Sequence, residues 1–101
     1  MVENLYEETL DILKENGKTE KDVVWFGHLF YGDDQQEYPR DKFKEYLNYE
    51  YDSGYGGMEV DEYLYVVGDN WWLERHEYDG LEWWEYKTMP TRPSIVSDNF
   101  Y

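Results

Sequence analysis

The chain has 101 residues, a formal net charge of −15 and no cysteine. A chain this short fits a single domain (1–101), and the lack of cysteine excludes disulfide bridges and thiolate metal sites, which favours a reducing compartment. No stretch approaches the roughly 20 apolar residues of a membrane span, and the first residues do not resemble a signal peptide. We therefore expect a soluble, cytoplasmic, single-domain protein.

The acidity is spread along the chain, because acidic residues outnumber basic ones in both halves. A surface with this charge repels nucleic acid and anionic membranes, and it attracts cations or basic protein grooves. We therefore expect no direct binding of nucleic acid and no binding of membranes. The alternative is that the charge serves solubility alone.

The first half of the chain predicts two helices with a short extended segment between them. Apolar residues at helical spacing predict a helix over residues 2–16, and Gly17 predicts its end. Residues 23–26 are typical of a buried strand or turn, and residues 27–38 of a hairpin or loop. Pro39 favours a second helix to about residue 50. The polar side of the first helix predicts a row of carboxylates four residues apart: Glu3, Glu7, Asp11 and Glu15.

The second half predicts a three-stranded antiparallel meander, with strands near residues 62–67, 71–78 and 81–87. Asp79-Gly80 suits a two-residue type I′ hairpin, because both positions need positive φ. With a second turn at residues 68–70, this register gives one apolar face, which we expect to form the core. That face comprises Leu64, Val66, Trp71, Leu73, Trp84 and Tyr86. Two prolines in residues 88–101 predict an extended C-terminal segment.

The predicted fold is therefore α+β, with two helices packed on the apolar face of the meander and room for one extra strand from residues 23–31. The other face of the meander mixes aromatic and charged side chains: Tyr63, Tyr65, Val67, Trp72, Glu74, His76, Tyr78, Leu81, Trp83, Glu85 and Lys87. Either this face is exposed and binds a partner, or a helix covers it and its rings belong to the core.

Catalytic chemistry has one weak candidate in the sequence. His76 shares the mixed face with Glu74 and Glu85, which could serve as acid and base or as a weak metal site, although such pairs usually form a plain hydrogen bond. Phosphate-binding glycine loops, nucleophile elbows and zinc-ligand spacings are absent from the sequence. We therefore expect a protein that is not an enzyme and that uses no cofactor or metal.

In size, charge and aromatic content the chain resembles phage-encoded acidic inhibitors that mimic nucleic acid, of the anti-CRISPR and anti-restriction kind. The stretches over residues 51–56, 67–75 and 78–84 are also similar to small uncharacterised domains of Gram-positive bacteria and their phages. The first resemblance is one of kind only, and the second brings no activity or functional residue with it.

The leading hypothesis is a non-enzymatic inhibitor in a bacterial host cell that binds a basic groove of a nucleic-acid-binding protein, such as a CRISPR or restriction nuclease. Carboxylates would replace phosphates there, and rings would replace bases. The predicted partner-binding residues are Glu3, Glu7, Asp11, Glu15, Tyr63, Tyr65, Trp72, Glu74, His76, Trp83 and Glu85. The alternative is a housekeeping or immunity-type interaction domain that binds through its aromatic residues. The sequence leaves the oligomeric state open.

Overall fold

The computed structural model describes residues 2–29, 35–52 and 59–89. In chain order these residues form β1 (Val2–Asn4), α1 (Leu5–Glu15), β2 (Val23–Leu29), β3 (Gln35–Glu37), α2 (Phe43–Leu47), β4 (Glu50–Asp52), β5 (Leu64–Gly68), β6 (Trp71–Tyr78) and β7 (Leu81–Thr88). The larger sheet is antiparallel with the strand order β3-β2-β5-β6-β7, and β1 pairs with β4 in a separate two-stranded sheet. The predicted α+β class is confirmed.

The predicted meander is confirmed together with its register. Asp79 and Gly80 adopt φ of 53° and 87°, as the tight hairpin requires, so Tyr78 lies opposite Leu81. Further along the same pair of strands, Arg75 lies opposite Trp84. Because side chains alternate between faces, this register places the predicted apolar residues on one side of the sheet.

One extra strand extends the meander, as the sequence predicts, and β3 adds another beyond it. Phe26 of β2 lies opposite Val66 of β5, and Gly27 lies opposite Glu37 of β3. A Cβ atom added at Gly27 would lie only 2.0 Å from the carbonyl oxygen of Gln36. Glycine is needed there because the backbone of β3 passes so close.

The core lies between the apolar face of the large sheet and both helices. The rings of Phe26 and Phe43 meet edge to face with centroids 5.0 Å apart, which joins β2 to α2. The indole Nε1–H of Trp84 donates to the Thr9 hydroxyl oxygen at 2.8 Å, which joins β7 to α1. Thr9 in turn donates to the carbonyl oxygen of Leu5 at 2.6 Å, so its buried hydroxyl is satisfied.

The predicted start of the first helix is wrong by three residues. Residues 2–4 form β1, and α1 begins at Leu5, whose N–H donates to the Tyr49 carbonyl oxygen at 2.9 Å. The Asn4 side chain accepts the N–H of Glu7 at 3.0 Å and so caps the helix. Glu3 therefore lies on a strand, outside the helical row. The predicted stop at Gly17, with φ of 72°, is confirmed.

The second helix is shorter than predicted. A 3₁₀ turn over Arg40–Lys42 leads into α2, which ends at Leu47, and Glu50–Asp52 pair with β1 instead of extending the helix. This pairing carries Tyr51 into the core, where it is 5% exposed. Pairing with a distant segment has overridden local helix propensity here.

The first strand of the meander begins about two residues later than predicted. β5 begins at Leu64, so Tyr63 lies in a turn and not on the strand, and its N–H donates to Asp61 Oδ1 at 2.8 Å. Residues 90–101 of the predicted extended C-terminal segment lie outside the described ranges. Within those ranges, no helix is long and apolar enough to cross a bilayer.

Candidate functional site

The large sheet presents the predicted mixed face on the side away from the helices; we call it the outer face. Its half-buried residues are Trp25, Tyr65, Val67, Trp72, Glu74, His76, Trp83, Glu85 and Lys87. Cross-strand pairing places Glu74 between Tyr65 and Glu85, and His76 opposite Trp83. Both helices of the described chain pack on the opposite, core face. In the described residues, therefore, no helix covers these rings.

Each carboxylate of the outer face already has hydrogen-bond donors. Glu74 accepts from the Trp72 indole at 2.7 Å and lies 2.6 Å from His76 Nε2. Glu85 accepts from the Trp83 indole at 3.2 Å and pairs with Lys87 Nζ at 3.1 Å. His76 Nδ1 lies 3.6 Å from Glu85, so the histidine lies between the two carboxylates. The sequence therefore grouped these three residues correctly.

This arrangement does not favour acid-base or metal chemistry. Burial alone would raise the pKa of Glu74, but the hydrogen bonds from Trp72 and His76 outweigh it and lower the pKa. The pKa of Glu85 is also lowered, chiefly by Lys87. A general acid near neutral pH needs the opposite shift. Within the described ranges, no group of three histidine or carboxylate side chains could hold a metal ion.

The acidic residues of α1 are placed differently. Glu7, Asp11 and Glu15, which we call the α1 row, are exposed and lie opposite the buried Leu5, Thr9 and Leu13. They are about 6 Å apart along the helix axis. In the described part of the chain, none of the three enters an ion pair. No ion pair within the described residues therefore competes with a partner for these three carboxylates.

The two predicted binding surfaces lie on opposite sides of the molecule. α1 packs on the core face through Thr9 and Trp84, so the α1 row points away from the sheet. The outer face is directed the other way. One flat partner surface cannot contact both, so the predicted residue set divides into two separate surfaces.

A buried ionic cluster is the main feature that was not predicted from the sequence. Arg75 Nη2 donates to Glu82 Oε1 and to the Tyr51 hydroxyl oxygen, both at 3.0 Å, and Nη1 lies 3.4 Å from Glu8 Oε2. The side chains of Arg75 and Glu82 are fully buried. The guanidinium lies over two rings, 4.8 Å from that of Trp84 and 5.3 Å from that of Tyr51.

The cluster also holds a loop and a tyrosine in place. Glu82 accepts the backbone N–H groups of Glu59 and Val60 at 2.6 and 3.0 Å. The Tyr51 hydroxyl donates to Glu8 Oε1, and burial together with this bond raises the pKa of Tyr51. Burial acts to lower the pKa of Arg75, but the groups around it outweigh burial and raise it, so the guanidinium stays charged.

One signal in the sequence could have found part of this cluster. The predicted register pairs Arg75 with Trp84, and strand alternation places Glu82 on the same, core-facing side. A buried arginine beside a buried glutamate follows from that parity. Glu8 and Tyr51 come from distant segments, and no local pattern connects them to β6.

Comparison with protein-family models, curated proteins and solved structures found no match to this chain. The resemblance to acidic inhibitors therefore remains a prediction from composition.

Proposed function

We propose that the protein is a non-enzymatic inhibitor that occupies a basic groove of a nucleic-acid-processing protein, such as a nuclease, in the cytoplasm of a bacterial cell. The observation that carries this proposal is the α1 row. Three exposed carboxylates at regular spacing form no ion pair within the described residues, on a molecule of net charge −15. Such a field draws in a basic surface and competes with its nucleic acid.

The outer face has a smaller part in this proposal than the sequence suggested. Its carboxylates are already bonded to indole, imidazole and ammonium groups, so they have less capacity left to stand in for phosphates. The α1 row has no such partners in the described chain. We therefore assign the contact with a basic groove to α1.

The test compares two charge-reversal variants in capture from a bacterial lysate at low salt, followed by elution with salt. The first reverses the α1 row: Glu7→Lys, Asp11→Lys and Glu15→Lys. The control makes the same change in net charge at exposed acidic residues outside α1: Glu37→Lys, Glu62→Lys and Asp69→Lys. Circular dichroism checks that both variants fold.

We expect the native protein to retain a nucleic-acid-binding protein that salt releases. The α1 variant should bind it on the order of tenfold more weakly, while the control keeps most of the affinity. The native protein should also displace DNA from the captured partner in a gel-shift assay. If the captured protein binds DNA equally well in its presence, the proposed function is wrong.

A second candidate is an interaction domain that binds through the rings of the outer face. The observation that favours it is that Trp72 and Trp83 are only half-buried and no helix of the described chain packs over them. A Trp72→Ser, Trp83→Ser variant tests this candidate in the same assay. Loss of the partner in this variant, with retention in the α1 variant, would move the interface to the outer face.

A further inference from the structure

An open pocket of about 200 Å³ lies where β2, α2 and the segment before β5 meet. The described residues that line it are His28, Tyr38, Tyr46, Leu47, Tyr49, Asp61 and Leu64. Drug-sized ligands occupy pockets of roughly 300–1,000 Å³. This pocket is smaller, and its size matches one long side chain.

Aromatic rings form much of the wall. The rings of Tyr38 and Tyr46 are tilted against each other with centroids 4.9 Å apart. The His28 ring stands perpendicular to that of Tyr38 at 5.1 Å. Tyr46 and Tyr49 are each 42% exposed, so their rings are accessible from solvent. A tyrosine ring in the wall of a cavity attracts a cation that lies over its face, because the ring face carries negative charge density.

Asp61 supplies a formal negative charge at the same place. Its Oδ2 lies 2.9 Å from His28 Nε2, and its Oδ1 accepts the N–H of Tyr63 at 2.8 Å. His28 Nδ1 is within hydrogen-bond distance of the Tyr38 hydroxyl. With a proton on Nε2 the imidazole donates to Asp61, and an unprotonated Nδ1 accepts from the Tyr38 hydroxyl. Each Asp61 oxygen then has one such contact and a further lone pair for another donor.

The electrostatic environment agrees with this geometry. Burial raises the pKa of Tyr38, and the Asp61 carboxylate adds to the effect. Burial also raises the pKa of Tyr49; Arg75 acts to lower it, and Glu82, Asp61 and Glu8 act to raise it further. Burial disfavours a charge of either sign, whereas the Asp61 carboxylate, which helps to raise both pKa values, favours a positive charge in this region.

The buried cluster of the same chain is an example of a cation held by aromatic rings and carboxylates. Arg75 lies over the rings of Trp84 and Tyr51 and contacts the carboxylates of Glu82 and Glu8. The pocket offers the same kinds of group, tyrosine rings beside a carboxylate, around an open volume. A guanidinium suits both places because it is planar, stacks on rings and is more weakly hydrated than an ammonium.

We propose that this pocket receives an arginine side chain of the basic partner protein. The inference rests on the proposed function, because it assumes a partner that presents arginine. It adds a specific contact to the long-range attraction of the α1 row: one guanidinium between the tyrosine rings, paired with Asp61.

The test is an NMR titration of the full chain with n-propylguanidinium at fixed ionic strength. The neutral analogue n-propylurea, which has nearly the same shape, is the matched control ligand. We expect saturable shifts at His28, Tyr46 and Tyr49 with a dissociation constant on the order of millimolar. The urea should bind about threefold to fivefold more weakly. Equal binding of both ligands, or no saturation by n-propylguanidinium, overturns the proposal.

Two pairs of variants assign the contact to its groups. Asp61→Asn should weaken n-propylguanidinium binding about threefold to fivefold, whereas the neighbouring Glu62→Gln should change it less than about twofold. Tyr46→Leu should weaken it about twofold to fivefold, and Tyr46→Phe, which keeps the ring, should not. Equal effects of Asp61→Asn and Glu62→Gln would show that the probe senses only net charge, which also overturns the proposal.

The two proposals fail in different ways. If n-propylguanidinium binds as expected but no basic partner is captured, the proposed function is wrong while the pocket retains its specificity for guanidinium. If a partner is captured through the α1 row but the small cation does not saturate the pocket, the arginine contact alone is wrong.

Discussion

Glu74, Arg75 and His76 are consecutive residues of β6, yet alternation places them in two different ionic clusters. Arg75 points into the core and forms the buried cluster with Glu82, Glu8 and Tyr51. Glu74 and His76 point outward, where their side chains are 24% and 36% exposed. Charged groups of the same kinds are thus buried on one face of this strand and partly exposed to solvent on the other.

This difference in burial decides what each cluster contributes. Exposed ion pairs contribute about 0–1 kcal/mol, because water and salt screen them. Removing one partner of a buried pair costs much more, since the other charge is left without compensation in a medium of low dielectric constant. We therefore expect the buried cluster to determine stability. The outer face can change in sequence at little cost to the fold.

The largest expected effect comes from Arg75→Met, which leaves the buried Glu82 without its cation. We expect the free energy of unfolding to fall by about 3–5 kcal/mol, measured by urea denaturation. The matched change on the outer face, His76→Gln, should cost less than about 1 kcal/mol. Similar losses in the two variants would show that burial does not separate the clusters.

A double variant sharpens this comparison. Arg75→Met with Glu82→Gln removes both buried charges, so it should recover at least about 1 kcal/mol relative to Arg75→Met alone. Recovery should be incomplete, because the two oxygens of Glu82 accept N–H groups from Glu59 and Val60 and an amide has only one such oxygen. Full recovery would mean that those loop contacts contribute little.

A smaller effect is expected at high pH. The hydrogen bond to Glu20, together with burial, raises the pKa of Tyr6 to about 12, and the pKa of Tyr51 is raised as well. The folded state then binds these protons more tightly than the unfolded state, whose tyrosines titrate near pH 10. The contribution of these two tyrosines to the free energy of unfolding is therefore fully present below about pH 10, and it is lost as pH rises to 12 and beyond. Denaturation midpoints between pH 8 and 12 measure this, and Tyr6→Phe should reduce the slope.

The smallest effect is expected at low pH on the outer face. The folded-state pKa values of Glu74 and Glu85 lie below their ordinary value of 4.5. Their contribution to stability is therefore present above about pH 4.5 and is lost as pH falls below it. His76→Gln should reduce this acid dependence, as measured by thermal unfolding between pH 3 and 6. An unchanged acid dependence would show that His76 does not stabilise the two carboxylates.

The sequence predicts the large sheet well because its signals are local. The Asp79-Gly80 turn sets the register of β6 and β7, and alternation then assigns both faces. The β1–β4 pair escaped prediction, since it joins segments almost fifty residues apart and interrupts two helical patterns. The Asn4 cap, with Glu7 three residues later, was a usable signal for the start of α1.

The candidate surfaces were predicted only in part, for a similar reason. Alternation correctly placed Glu74, His76 and Glu85 together. Alternation could not show that indole N–H groups and Lys87 bond to these carboxylates, because side-chain rotamers decide such contacts. The pocket was not predicted, since His28, Tyr46 and Asp61 meet only when three separate segments pack together.

The hydrogen bond between Trp84 and Thr9 has a consequence for how the chain folds. It joins residues 75 positions apart, so α1 is synthesised before β7 and acquires this polar partner only when β7 has been synthesised. The chain must lose the entropy of closing this long loop before the contact contributes any stability. This cost slows folding. We expect α1 to dock late, after the meander has formed from its own local turns.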